Sequence, residues 1–164
     1  MKLISVQSFI QSLNAAEARI DNVIGSKLES FFELAEYNWM PPRPQSAAGE
    51  PSTYVFEMIT FLTAYVDSVL IGLNEEIKTR AYRNALLRIN RWLMVSNYAG
   101  MIANHQDLLC GRDVPRYNEP ALANVLADVK FIEDEIRRLE KPALDKVLEE
   151  VRQVCFDLLL DQRD

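Results

Sequence analysis

One histidine, two cysteines and two runs of carboxylates are the residues with which this chain could do chemistry. A helical bundle that holds a pair of iron ions needs Glu-x-x-His pairs, with the acid three residues from the imidazole on one helix face. No Asp or Glu stands three or four residues from His105, so that site cannot be assembled. A nucleophilic thiolate needs a base or a positive helix end beside it to lower its pKa. Cys110 and Cys155 each fall inside an apolar helical pattern instead, which marks them as small core residues in a reducing compartment rather than as a disulfide framework. Glu133-Asp134-Glu135 and Glu149-Glu150 have Arg137, Arg138 and Arg152 at supporting spacing, the pattern of solvated helix faces. The five glycines are scattered singly, so no phosphate-cradling loop is present. These residues predict no catalytic site, no bound metal and no cofactor, and leave a helical interaction module.

The chain has 164 residues, 49% of them hydrophobic and 26% charged, enough to bury a core in one domain spanning 1–164. A formal net charge of -6 gives no basic footprint for a nucleic-acid backbone, so no nucleic-acid partner is expected. The opening MKLISVQSFIQSLN lacks the features of a signal or transit peptide, which predicts a cytoplasmic protein. Residues 54–73 have the length of a bilayer-crossing helix, but Glu57, Thr60, Ala64, Asp67 and Ser68 recur along one side. The expectation is a core helix with one wet edge, and no transmembrane segment.

These residues must be positioned by helices. Phe9, Leu13, Ala16, Ile20, Val23, Ile24, Leu28, Phe31, Phe32 and Ala35 follow a three-and-four spacing that predicts a first helix with a buried stripe, ending near Trp39 before Pro41 and Pro42. Its aromatic end is expected to lock it against neighbouring helices. Residues 41–51, PPRPQSAAGEP, read as a mobile linker, and Ser52 or Thr53 as the cap of the second helix, which Gly72 ends. Asn74 with Glu75 and Glu76 reads as the start of the third. Tyr82, Leu86, Ile89 and Leu93 form its buried stripe, with Arg80, Arg83, Arg88 and Arg91 on a solvated side. That helix runs toward Cys110 and Gly111, with Gly100 as a possible kink, and Asn118 caps the next. Leu122, Val125, Val129, Ile132, Ile136 and Leu139 keep heptad spacing, the seam of a fourth helix. Lys141-Pro142 breaks the path, and Leu144, Val147, Leu148, Val151, Cys155, Leu158 and Leu159 mark a fifth. No segment alternates with period two. The fold class is all-α, an antiparallel helical bundle of about five helices.

Four blocks carry a resemblance: SKLESFFELAEYNW at 26–39, YVFEMITFL at 54–62, LNEEIKT at 73–79 and ALANVLADVKFIE at 121–133. In this order they resemble the C-terminal region of the Sec-fifteen subunit of the exocyst; residues 88–112 match weakly and Leu126 departs from the pattern. The resemblance implies a non-catalytic C-terminal piece of a longer subunit, part of a helical tethering rod acting in secretory vesicle docking. It implies a GTP-loaded Rab-type small GTPase and other exocyst subunits as partners, and a location peripheral to secretory vesicles and sites of exocytosis, with the membrane reached only through partners. The alternative is a structural segment that contacts other subunits independently of nucleotide.

On the fourth helix, at about 100° per residue, Phe131 projects roughly opposite to the heptad seam, with Asn124, Ala127, Asp128 and Glu135 around it. The plain reading packs Phe131 on another helix. The sharper one makes this face the partner-binding surface, with Phe131 as anchor and small Ala127 leaving room.

Overall fold

The computed structural model describes residues 2–35, 50–109 and 119–160. Helix α1 (Lys2–Phe32) is followed by α2 (Thr53–Ala64), α3 (Glu75–Leu109), α4 (Glu119–Arg138) and α5 (Glu149–Leu160), and no strand occurs among the described residues. Trp39, Cys110, Gly111, Asn118 and nearly all of the 41–51 linker lie outside them.

Local chemistry sets the boundaries. Asn74 Oδ1 accepts the Ile77 N–H at 2.9 Å, satisfying one of the amides that a helix start leaves open, and Glu75 and Glu76 occupy the positive first turn. The second helix is shorter than the apolar run suggests. Its α-turns end at Ala64 and a wider π-turn covers Tyr65–Val69, closed by Leu70 N–H to the Tyr65 carbonyl at 3.2 Å. This turn keeps Val66 and Leu70 buried while Asp67, Ser68 and Val69 face out. Gly100 does not interrupt α3. The fourth helix ends at Arg138, and Glu140 then turns to a φ of 52°, a left-handed conformation uncommon for a residue with a side chain. Lys141 is extended, as a residue before proline must be, and Pro142–Leu144 forms one 3₁₀ turn. Regular α5 therefore starts later than the apolar spacing predicts, although Leu144 and Leu148 are already buried.

Cross-helix pairs give the directions. Glu17 meets Arg80, Asp21 meets Asn84 and Phe32 meets Trp92, so α1 and α3 run parallel. Ser52 meets Asp128 and Phe56 meets Phe131, so α2 and α4 run parallel as well. Lys141 reaches Glu75 at 2.8 Å, which sets α4 against α3. Consecutive helices thus alternate up and down. α1 packs on α2 and α3, α2 on α4, α4 on α5, and α5 back on α3. The core inside this circuit is built from Ile24 and Leu28, Val55, Met58 and Leu62, Tyr82, Leu86, Ile89 and Leu93, Val125, Val129 and Ile132, and Val151 and Cys155.

The aromatic end of α1 closes one side of that core. The Phe32 ring stacks on Trp92 with centroids 4.6 Å apart, Tyr54 meets the same indole edge-on at 6.0 Å, and Phe31 tilts against Phe61. The other half of α1 departs from expectation. Phe9, Leu13 and Ala16 are exposed, as is every residue from 5 to 16, and Val23 is exposed as well; Glu17 meets Arg80, the sixth residue of α3, so much of this stretch extends beyond the start of that helix.

Candidate partner-docking face

The heptad seam of α4 is buried as predicted, from Leu122 through Ile136 with Leu139 partly covered. The flank beside the seam turns toward α2. Along it Asn124, Ala127, Phe131 and Glu135 are half-buried, whereas Asp128 is fully buried. Asp128 was expected on the partner-binding surface and is instead an internal joint. Its Oδ1 accepts the Ser52 N–H at 2.5 Å and its Oδ2 accepts the Ser52 hydroxyl at 2.8 Å. Ser52 stands at the N-cap position of α2 but makes no side-chain cap bond within its own helix. The carboxylate of α4 satisfies the opening of α2 in its place, and a negative charge there also complements the positive helix end.

Phe131 takes the plain reading in part. It packs on the core and its ring lies 6.0 Å from that of Phe56, tilted by 41°. Phe56 is 55% exposed, so the ring pair forms an apolar spot open to solvent in the groove between α2 and α4. Lower in the groove Glu135 is bound by Arg138 at 2.5 Å and borders a crevice with Ile59, Leu62, Ile132 and Ile136. At about 10 Å³ that crevice holds at most a water molecule, which leaves no room there for an organic ligand.

The sequence reading missed Ser52 as a partner of Asp128 and Phe56 as a partner of Phe131. Phe56 carried a signal, since it stands four residues before Thr60 on the wet edge of α2. Ser52 carried none, because its partner is 76 residues away. The predicted wet edge of Glu57, Thr60, Ala64, Asp67 and Ser68 is exposed throughout.

The groups that suggested chemistry are placed structurally. Glu133 reaches Arg152 of α5 at 3.6 Å as well as Arg137 at 4.0 Å, so it ties two helices rather than facing water. Asp134 is held by Arg137 at 2.7 Å. Cys155 is fully buried in the core. Among the described residues no cluster of three or more His, Cys, Asp or Glu could hold a metal ion, and no described helix is long and apolar enough to cross a membrane.

Compared with known protein families, residues 1–163 match the profile described as exocyst complex subunit Sec15 C-terminal. No match is found among curated proteins or among solved structures.

Proposed function

The chain belongs to the exocyst Sec15 C-terminal family, and from that premise we propose that it is a non-catalytic docking module of the tethering complex that binds a GTP-loaded Rab-type small GTPase through the groove between α2 and α4. Membership supplies the tethering role and makes other exocyst subunits its partners. The observation that supports the groove is the Phe56–Phe131 ring pair, half open and rimmed by polar groups. Aromatic anchors with polar surroundings are the usual anatomy of binding hot spots. Asn124 and Ala127 extend the face, Glu135 closes its lower end, and Asp128 acts from beneath by fixing α2 against α4. A GTPase orders its switch segments around the γ-phosphate, so a partner that reads those segments binds the GTP form. Such binding places the protein in the cytoplasm at secretory vesicles and sites of exocytosis.

The test is binding of candidate Rab-type GTPases, loaded with a non-hydrolysable GTP analogue or with GDP, to the wild-type chain and to Phe131→Ala and Phe56→Ala. The expected result is GTP-dependent binding that falls about tenfold or more in Phe56→Ala, with little change in melting temperature. Equal binding of both nucleotide forms would sink the reading.

A second reading, a structural segment that joins other subunits without regard to nucleotide, is favoured by the overhanging stripe of Val6, Phe9, Ile10 and Leu13. Exposed apolar side chains grouped in this way mark contact surfaces. Capture of exocyst subunits that is lost in a Phe9→Ser, Leu13→Ser variant and unaffected by nucleotide would support it.

A further inference from the structure

The outer side of α3 carries a row at four-residue spacing, Arg83, Leu87, Arg91 and Val95, all of them exposed. Leu87 is 42% exposed and Val95 61%, an unusual pair to leave open between guanidinium groups. Arg88 lies beside the row, with its guanidinium across Gly25 of α1, where an added Cβ would meet Nη1 at 2.9 Å. Carboxylates do border this surface on both edges, but each is engaged elsewhere. Glu17 is held by Arg80 at 2.6 Å, Asp21 by Asn84 at 2.8 Å, and Glu150 accepts from Asn90 at 3.5 Å. Arg83, Arg88 and Arg91 make no ion pair with another described residue. In a chain of net charge -6, this is a local reversal of sign built around two apolar side chains.

We propose that the ridge Arg83–Leu87–Arg91–Val95 is a docking surface for an acidic amphipathic helix of another protein. Its apolar side chains would cover Leu87 and Val95, and its carboxylates would meet Arg83 and Arg91. The row spans about 18 Å at 1.5 Å per residue, the length of three helical turns and therefore of a helix laid along it. Arginine offers two parallel N–H donors to a carboxylate and is enriched among residues that dominate interfaces. A second copy of this chain is a poor occupant, since two-fold pairing would bring two arginine-bearing ridges together with no carboxylate in either row to offset them. Nucleic acid is disfavoured by the negative field of the rest of the molecule. This surface is on a different helix from the groove of α2 and α4, and the proposal does not depend on that groove.

The probe is a fluorescein-labelled helical peptide with leucines at i, i+4 and i+8 flanked by glutamates, alongside a counterpart with lysines in place of the glutamates. Binding is read by fluorescence anisotropy at about 50 and about 300 mM salt, conditions that differ in charge screening. The acidic peptide should bind the wild-type chain, bind more weakly at high salt, and lose about tenfold or more in affinity to Arg83→Glu, Arg91→Glu. Leu87→Ser should weaken it also, and Phe131→Ala should not. Thermal melts check that the variants fold, and Arg83→Gln, Arg91→Gln replaces the charge reversal if it does not. The proposal is overturned if the acidic peptide fails to bind, if the charge reversal leaves its affinity unchanged, if the lysine peptide binds as well, or if sedimentation shows that the ridge variants abolish self-association instead.

Discussion

Asp128 shows how one residue can carry a fold contact that its neighbourhood in sequence does not announce. It is fully buried and accepts both the backbone amide and the hydroxyl of Ser52. Hydrogen bonds to a charged acceptor are worth more than neutral ones, and a buried donor left open costs its full desolvation. Asp128→Ala should therefore lose about 2–4 kcal/mol in urea unfolding, and Ser52→Ala, which keeps the amide bond, about 1–2 kcal/mol. The double variant should lose less than the sum, because both changes break one joint. Tyr82 supplies a different test. Burial, and next the charge of Asp67 that its hydroxyl meets at 3.4 Å, push its pKa from 10.0 up to about 12. The folded state then holds the phenolic proton more tightly than the unfolded chain, so this contribution is whole below pH 10 and is lost as the pH rises toward 12. The wild-type chain should lose stability over that range more steeply than Tyr82→Phe, as read by denaturation at a series of pH values. An equal slope in the two would mean that the Tyr82 proton is not held.

At the scale of helices, the sequence was most readable where one face packs on several neighbours at once. The α4 seam and the Tyr82–Leu93 stripe of α3 are regular, and both are buried as predicted, since a fully enclosed stripe requires apolar residues at every return. Asn74 is equally legible, because a cap acts within four residues. Asn74→Ala should cost about 1 kcal/mol in thermal or urea unfolding without altering the core, and Asn74→Gly less. Reading fails where the deciding partner is remote. Asp128 lies close to the α4 seam, but only the arrival of α2 determines whether that edge is wet. Phe131 is half-buried beside the seam rather than opposite it, and its contact with Phe56 depends on how α2 and α4 run side by side. The π-turn at Tyr65–Val69 was invisible for a related reason: an apolar run of this length fits a plain helix, and widening by one residue leaves the spacing almost unchanged.

For the molecule as a whole, periodicity reported amphipathicity but not what covers it. The apolar stripe expected of the first helix runs from Phe9 to Ala35, yet it packs against the bundle only from Ile20 onward, and even there Val23 is exposed. Leu28→Ala should then cost about 2–5 kcal/mol, a buried large-to-small change. Phe9→Ser should stay within about 0.5 kcal/mol in the same unfolding experiment, the usual range for an exposed site. A large loss at Phe9 would show that the overhang is packed in solution. The overhang also has its own clock. A helical stretch of about ten exposed residues is marginal in water, so residues 6–16 should open and close independently of the bundle. In deuterium exchange their amides should be labelled well before those of α4, although both segments have the same backbone hydrogen bonds. Any partner that seats on Phe9 and Leu13 would have to select the wound form, and would announce its arrival as slowed exchange along that segment alone.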